Sequence, residues 1–177
     1  LCKVENTSPR TALPFMVTDL KNLPLEENVL VWFGHSSYFI QVDGKRFLID
    51  PVFSGNASPM PGSIKAFQGA DYYKPEHMPD IDFLLISHDH WDHLDYPTIQ
   101  QLKNKVGNVI CALGVARHFE YWGWEQQKLI EKNWYASIST CRGIKAVLHW
   151  PSNCTASATP TARWGVAIAA SGLVVDD

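Results

Sequence analysis

Short apolar runs separated by turn residues make up much of the early part of the chain. Residues 29–33 are rich in β-forming side chains and predict a buried strand. Two further runs, 38–42 and 45–49, flank Asp43-Gly44, a dipeptide that favours the type I′ turn of a β-hairpin. Asp50-Pro51 ends the second run, because proline has no N–H to donate to a neighbouring strand.

Strands alternate with helices after residue 80. Residues 81–87 and 108–113 are apolar and predict two more buried strands. Between them, three apolar residues recur at helical spacing in a segment that starts near Pro97, namely Ile99, Leu102 and Val106. Residues 115–122 predict a short helix that Gly123 closes. This alternation indicates an α/β layered fold.

Three segments lack a repeating period. Residues 1–27 are polar and contain several prolines, so we expect an extended lead-in. Residues 54–80 are rich in Gly, Pro, Ser and Asn and also carry aromatic residues, which predicts a long loop. Its aromatic side chains either line a substrate groove or cover the edge of the sheet. In residues 146–177 Ala, Ser and Thr dominate, and we expect an atypical tail.

The totals for the chain narrow the class of protein. At 177 residues the chain has room for one domain, and a net charge of -3 without a basic patch argues against a nucleic-acid partner. The four cysteines have no close paired spacing, so neither a zinc ribbon nor a disulfide framework is predicted. No apolar run is long enough to predict a membrane span. The chain starts with Leu1, so we expect a partial domain from a fragment or processed product, and the compartment is left open.

The candidate chemistry is concentrated directly after the strand predicted at 81–87. Three histidines and three aspartates fall there within eight residues, and imidazole and carboxylate are ligands that zinc accepts. His88 and His90 leave an extended segment on the same side. Asp92 and His93 follow where the chain must turn and can reach a second ion. The alternative is a polar loop that caps a helix through Asp95, but unpaired polar clusters are costly to bury beside a strand.

The motif His88-x-His90-x-Asp92-His93 resembles the signature of the metallo-β-lactamase-fold hydrolases. Residues 32–40 and 43–54 resemble the branch that contains the N-acyl-phosphatidylethanolamine phospholipase D enzymes and, more distantly, the ascorbate phosphate lactonases. The resemblance runs from about residue 18 to about residue 134 and then fades. It implies the αββα sandwich, in which helices face two sheets. This chain has room for about half of that fold, mainly its N-terminal half.

The resemblance also implies a metal centre, most simply with two zinc ions, although other divalent metals would serve. In the family pattern His88 and His90 hold the first ion, while Asp92 and His93 hold the second. Asp92 would also orient the attacking water and so take a catalytic part. Each ion needs a further ligand, and His149, after the apolar residues 146–148, is the candidate for the first ion.

Two more residues are expected near this centre. Asp50 would hydrogen-bond a ligand histidine or the metal loop and fix its orientation, or else it would cap the strand before Pro51. His35 would contact the site or the substrate, or else it would be a core histidine with its hydrogen bonds satisfied.

The sequence therefore predicts a metal-dependent hydrolase that cleaves a phosphodiester in a small or lipid-like substrate. A lactonase or other carbonyl hydrolase with the same centre is the first alternative. A non-catalytic remnant with an incomplete ligand set is the second, and an iron-containing redox protein is a further alternative that no residue favours. The aromatic loop is compatible with membrane contact, while the oligomeric state is left open.

Overall fold

The computed structural model describes residues 8–60, 62–133, 136–139, 145–149 and 165–169. Its larger sheet has six strands in chain order: β1 Val29–Gly34, β2 Ser37–Val42, β3 Lys45–Ile49, β4 Ile81–Ile86, β5 Val106–Ala112 and β6 Leu129–Lys132. The pairs β1–β2 and β2–β3 are antiparallel, and the pairs from β3 to β6 are parallel. The sheet is therefore mixed, with a hairpin at one edge.

Two helices and a smaller sheet accompany the six strands. Helix α1 spans Tyr96–Leu102 and helix α2 spans Ala116–Tyr121. The smaller sheet is antiparallel and contains β7 Ser137–Ser139, β8 Lys145–His149 and β9 Gly165–Ala169. Among the residues described, no helix has both the length and the apolar character that crossing a lipid bilayer requires.

The two faces of the large sheet are covered by different layers. One face and the helices share a buried cluster that includes Leu48, Leu84, Ile99, Leu102 and Phe119. A second cluster on the other face contains Phe47, Ile49, Leu85 and Ile110 and packs against Ile138 of β7. Adjacent strand residues point to opposite faces, so both faces can be apolar only where a strand is covered on both sides. The layers are helices, large sheet and small sheet, which confirms the α/β layered fold.

The predicted hairpin forms as its turn chemistry requires. Asp43 has a φ of 47° and Gly44 a φ of 71°, and a type I′ turn needs positive φ at both central residues. The two-residue turn pairs Val42 with Lys45 across the hairpin, and that pair sets the register of the whole β2–β3 ladder. The long loop at 54–80 is also found, and its described residues contain an isolated bridge between Asn56 and Lys65 and a short 3-10 turn.

One expectation about secondary structure was wrong, and one strand was missed. Val106 does not continue α1, which ends at Leu102, but opens β5 opposite Ile81 of β4. The turn between them is fixed by the Lys105 N–H, which donates to Leu102 O at 2.8 Å. Apolar spacing alone cannot separate the last turn of a helix from the first residue of a strand. Strand β6 was not predicted, since its sequence Leu-Ile-Glu-Lys carries only two apolar residues.

Candidate metal centre

The C-terminal ends of three strands lie at one edge of the large sheet. Strands β3 and β4 are parallel and therefore end at the same edge. Strand β1 is antiparallel to β2, and β2 to β3, so β1 runs in the direction of β3 and ends there too. The residues that follow these ends are His35 after β1, Asp50 after β3 and 87–93 after β4. Side chains that are distant in sequence are thus brought together at a sheet edge, where ligands commonly bind in α/β folds.

The loop after β4 folds back on itself and gathers its three imidazoles. His90 O accepts hydrogen bonds from the N–H groups of His93 at 2.9 Å and Leu94 at 2.7 Å. The ring of His88 consequently lies 4.5 Å from that of His90 and 4.0 Å from that of His93, measured between centroids. Leu94 is buried in the helix-side core and holds the end of the loop in place.

Asp50 is the buried acceptor behind this loop. Its backbone φ of 41° is in the left-handed region, and its side chain is only 3% exposed. The carboxylate accepts hydrogen bonds from the Ser87 N–H at 2.8 Å, the Ser87 hydroxyl at 2.6 Å and His93 Nδ1 at 2.9 Å. Because the Nδ1 of His93 carries the donated hydrogen, its Nε2 keeps an open lone pair.

Ser87 sets the tautomer of His88 in a similar way. A hydroxyl has one hydrogen, and Ser87 gives it to Asp50. The Ser87 oxygen lies 3.0 Å from His88 Nδ1 and can only accept there, so the hydrogen of the neutral His88 ring is on Nδ1 and not on Nε2. The sequence analysis assigned no role to Ser87. The signal available was its position between a buried strand and the first histidine.

His35 joins Asp92 and His93 at the outer side of the loop. His35 Nε2 lies 3.0 Å from Asp92 Oδ2, and His93 Nε2 lies 3.7 Å from the same oxygen. One ligand atom from each of the three residues falls within 4.8 Å of the others. The His35 side chain is 60% exposed, so the alternative of a core histidine was wrong.

The protonation states suit a cation. Burial lowers the pKa of His88, and the positive charge that His93 and His90 can carry lowers it further, so His88 favours the neutral form that binds metals. Burial of the Asp92 carboxyl works against its ionisation. Its own backbone N–H and the charges of His93 and His35 outweigh burial and lower the pKa of Asp92 below its ordinary value.

The remaining sequence candidates lie elsewhere or outside the described side chains. His149 ends β8, but its side chain is outside the described residues, so its role as a ligand stays a prediction. Asp95 is the residue before α1, and its carboxylate accepts from the Ser54 N–H and the Thr98 hydroxyl, which anchors the loop at 54 to the helix. His118 is exposed and lies 3.6 Å from the Asp89 carboxylate, and it is not among the three residues whose ligand atoms converge.

The match to a known family covers most of the chain. The sequence pattern of the beta-lactamase superfamily domain matches residues 45–172. The chain belongs to the beta-lactamase superfamily. This confirms the resemblance that the motif at 88–93 carries, and with it the fold class.

Curated members of the superfamily are similar in sequence to part of this chain. N-acyl-phosphatidylethanolamine-hydrolyzing phospholipase D 1 of Caenorhabditis elegans is 29% identical over 129 residues, which are 67% of this chain and 35% of that protein. A metal-dependent hydrolase of Caldivirga maquilingensis is 32% identical over 85 residues, 48% of this chain and 30% of that protein. The chain thus spans about a third of the length of the curated relatives it matches.

Solved structures with a similar fold include a metallo hydrolase and a diiron enzyme. Igni18, a metallo hydrolase of Ignicoccus hospitalis, has a TM-score of 0.53 at 19% identity and covers 81% of this chain and 56% of its own. CmlA, a diiron beta-hydroxylase of Streptomyces venezuelae, also has a TM-score of 0.53, with 28% identity over 70% of this chain and 24% of its own. The fold therefore does not decide which metal this superfamily member takes.

Proposed function

We propose that this chain carries the binuclear zinc centre of a hydrolase that cleaves phosphodiesters. The observation that carries the proposal is the convergence of imidazoles and a carboxylate at one sheet edge, with Asp50 and Ser87 placed against the Nδ1 atoms of two of the rings so that their ring hydrogens are on Nδ1 and not on Nε2. Open imidazole nitrogens and a carboxylate oxygen are a donor set that suits a divalent cation. The residues present therefore fit the metal that the superfamily implies.

The side chains have distinct roles in this proposal. His88 and His90 hold one ion, with His149 as the further ligand, while Asp92 and His93 hold the other. When bound, two divalent ions supply an acidified water and polarise a phosphoryl oxygen. The Asp92 carboxylate would accept a hydrogen bond from the attacking water and so orient it towards the substrate. Asp50 holds the His93 ring in one tautomer throughout the reaction.

An apolar groove beside the site supports a substrate with a lipid-like part. The groove has a volume of about 340 Å³ and lies between residues 13–18 and strand β1. Aromatic side chains dominate its lining, including Phe15, Trp32, Tyr72 and Tyr73. Gly34 also lines it and directly precedes His35, so an apolar chain in the groove would lie next to the metal centre. Exposed apolar side chains at the groove, such as Met16, would suit contact with a membrane surface.

Metal analysis and two substrates test the proposal. The purified chain should contain zinc and hydrolyse bis(p-nitrophenyl) phosphate, and Asp92→Asn should lower the rate by about 100-fold or more. His118→Asn is the matched control, because His118 is exposed and outside the centre. Hydrolysis of a lactone without the phosphodiester would favour the carbonyl hydrolase. Iron in place of zinc would favour a redox protein, and a chain without any metal would favour the non-catalytic remnant.

A further inference from the structure

His35 is held in an unusual backbone conformation next to the metal loop. Its φ of 46° lies in the left-handed region, which a histidine adopts only at some cost in strain. The pairing of β1 with β2 is irregular at this point, between Trp32 and Gly34. The Trp32 indole N–H donates to His35 O at 2.9 Å and fixes the strained peptide. The positive φ belongs to the tight turn between β1 and β2, as that of Asp43 belongs to the next turn, and it sets the direction in which the His35 side chain leaves the backbone.

The conformation aims the His35 imidazole at Asp92 and His93. The His35 ring lies 5.2 Å from the His93 ring, and its Nε2 is 3.0 Å from Asp92 Oδ2. The Nε2 of His93 approaches the same oxygen at 3.7 Å. Two ligands of a tetrahedral zinc ion with bonds of about 2.05 Å are about 3.3 Å apart. The two measured distances lie on either side of that value.

We propose that His35 is itself a ligand of the metal ion held by Asp92 and His93. The inference rests on the metal centre of the proposed function and names a ligand that the motif at 88–93 does not contain. The set is then His35 Nε2, Asp92 Oδ2 and His93 Nε2, whose atoms fall within 4.8 Å of one another. His93 can contribute Nε2 because its Nδ1 donates to Asp50. The ion so held connects the end of β1 to the loop after β4.

The alternative is that His35 only hydrogen-bonds Asp92 and stays outside the coordination sphere. The two arrangements differ in which nitrogen of the His35 ring carries the hydrogen. As a hydrogen-bond donor to the carboxylate, His35 carries its hydrogen on Nε2. As a ligand it has none on Nε2 and is protonated at Nδ1 instead. Nitrogen-15 NMR of the imidazoles in the zinc-loaded wild-type chain separates the two states without any mutation.

The matched mutation is His35→Asn, with His118→Asn as the control. Asparagine tolerates the left-handed region, so the backbone at residue 35 is kept while the imidazole is lost. His118 is an exposed histidine outside the ligand set, which tests whether losing any surface imidazole matters. Thermal unfolding in EDTA checks that both variants fold. Zinc titration against a competing chelator, and the visible spectrum of the cobalt(II)-loaded chains, then report on each metal position.

We expect the wild-type chain to bind two ions and its His35 Nε2 to carry no hydrogen when zinc is bound. In His35→Asn the second ion should bind more than about 100-fold more weakly, beyond the loss typical of a residue that only orients a ligand, and the cobalt spectrum should change. His118→Asn should match the wild type. A smaller loss of affinity, or a hydrogen on Nε2 in the zinc-loaded chain, overturns this inference and leaves the proposed function standing. A wild-type chain that binds no ion overturns both.

Discussion

Replacing Asp50 by asparagine separates the orientation of the metal ligands from the stability of the fold. Asp50 faces three donors, the Ser87 N–H, the Ser87 hydroxyl and His93 Nδ1. The amide oxygen of asparagine can still accept from the Ser87 N–H. Its NH₂ group replaces the oxygen that faces His93, so Nδ1 of His93 must become an acceptor and the ring hydrogen moves to Nε2. An Nε2 that carries a hydrogen cannot bind a metal.

The expected loss follows from that change of tautomer. Mutating a residue that orients a metal ligand weakens binding about 10–100-fold, or about 1.4–2.7 kcal/mol. The backbone should be little affected, because asparagine tolerates the left-handed conformation that Asp50 adopts. Asp50→Ala removes both acceptor oxygens and leaves the buried Ser87 N–H without its partner, which should cost a further 1–3 kcal/mol of folding free energy, roughly. The asparagine variant should therefore lose metal affinity with little loss of stability, and the alanine variant should lose both.

Zinc titration against a chromogenic chelator measures the affinity, and thermal unfolding in EDTA measures the stability. Asp95→Asn is the matched control, because Asp95 is likewise a buried carboxylate that accepts hydrogen bonds. Its two donors are Ser54 and Thr98, neither of which is a candidate ligand. It should leave the zinc affinity unchanged. Wild-type affinity in Asp50→Asn would refute the claim that Asp50 sets the His93 tautomer.

Three further predictions concern the fold. Gly69→Ala places a Cβ 2.3 Å from Leu13 O. It should destabilise the chain by about 1–3 kcal/mol more than Gly114→Ala, where φ is also positive but nothing lies within 4 Å of the new Cβ. Chemical denaturation of both variants measures the difference. Leu84→Ala empties a fully buried core position and should cost about 2–5 kcal/mol by the same measurement. Burial raises the pKa of the Cys111 thiol to about 12, so at pH 8 it stays protonated, and iodoacetamide should modify it only after unfolding, as read by peptide mass mapping.

Each of these predictions can fail. Equal stability of the two glycine variants would mean that residue 13 moves aside without cost. A loss below about 1 kcal/mol at Leu84 would mean that the cluster between sheet and helices is loosely packed. Rapid alkylation of native Cys111 would contradict its burial in β5.

The elements that could be predicted from the sequence are those with a local cause. The Asp43-Gly44 turn is specified by two residues that accept positive φ, and residues 81–86 form a strand because the run is apolar apart from Asp82. Strand β6 has no such local cause. It is held by pairing with β5 and by Glu131, whose carboxylate accepts the N–H groups of Gly114 and Ala116 at 2.8 Å each. Those partners precede it by 15 residues or more, so no window of the sequence around β6 contains them.

The candidate site likewise combines a motif with a local cause and contacts that need the assembled sheet. The motif at 88–93 is local, and its residue types alone indicate a cation. The contact between His35 and Asp92 joins residues 57 apart and depends on the sheet being assembled. The role of Ser87 depends on the direction of one hydroxyl hydrogen, which follows only from the position of Asp50. Residue types can therefore be read from the sequence, whereas tautomers and the contact of His35 with Asp92 depend on the assembled fold.

The connections of the sheet explain why His35 can reach this site at all. Two tight reversals, at residues 35–36 and 43–44, return the chain to its first direction, so β1 and β3 end at the same edge. The parallel pairing of β3 with β4 then places the 88–93 loop beside them. A hairpin one residue longer would shift the side chains of β2 to the opposite face of the sheet and displace His35 from that edge. The short turns therefore do more than close a hairpin, because they determine which strand lies within reach of Asp92.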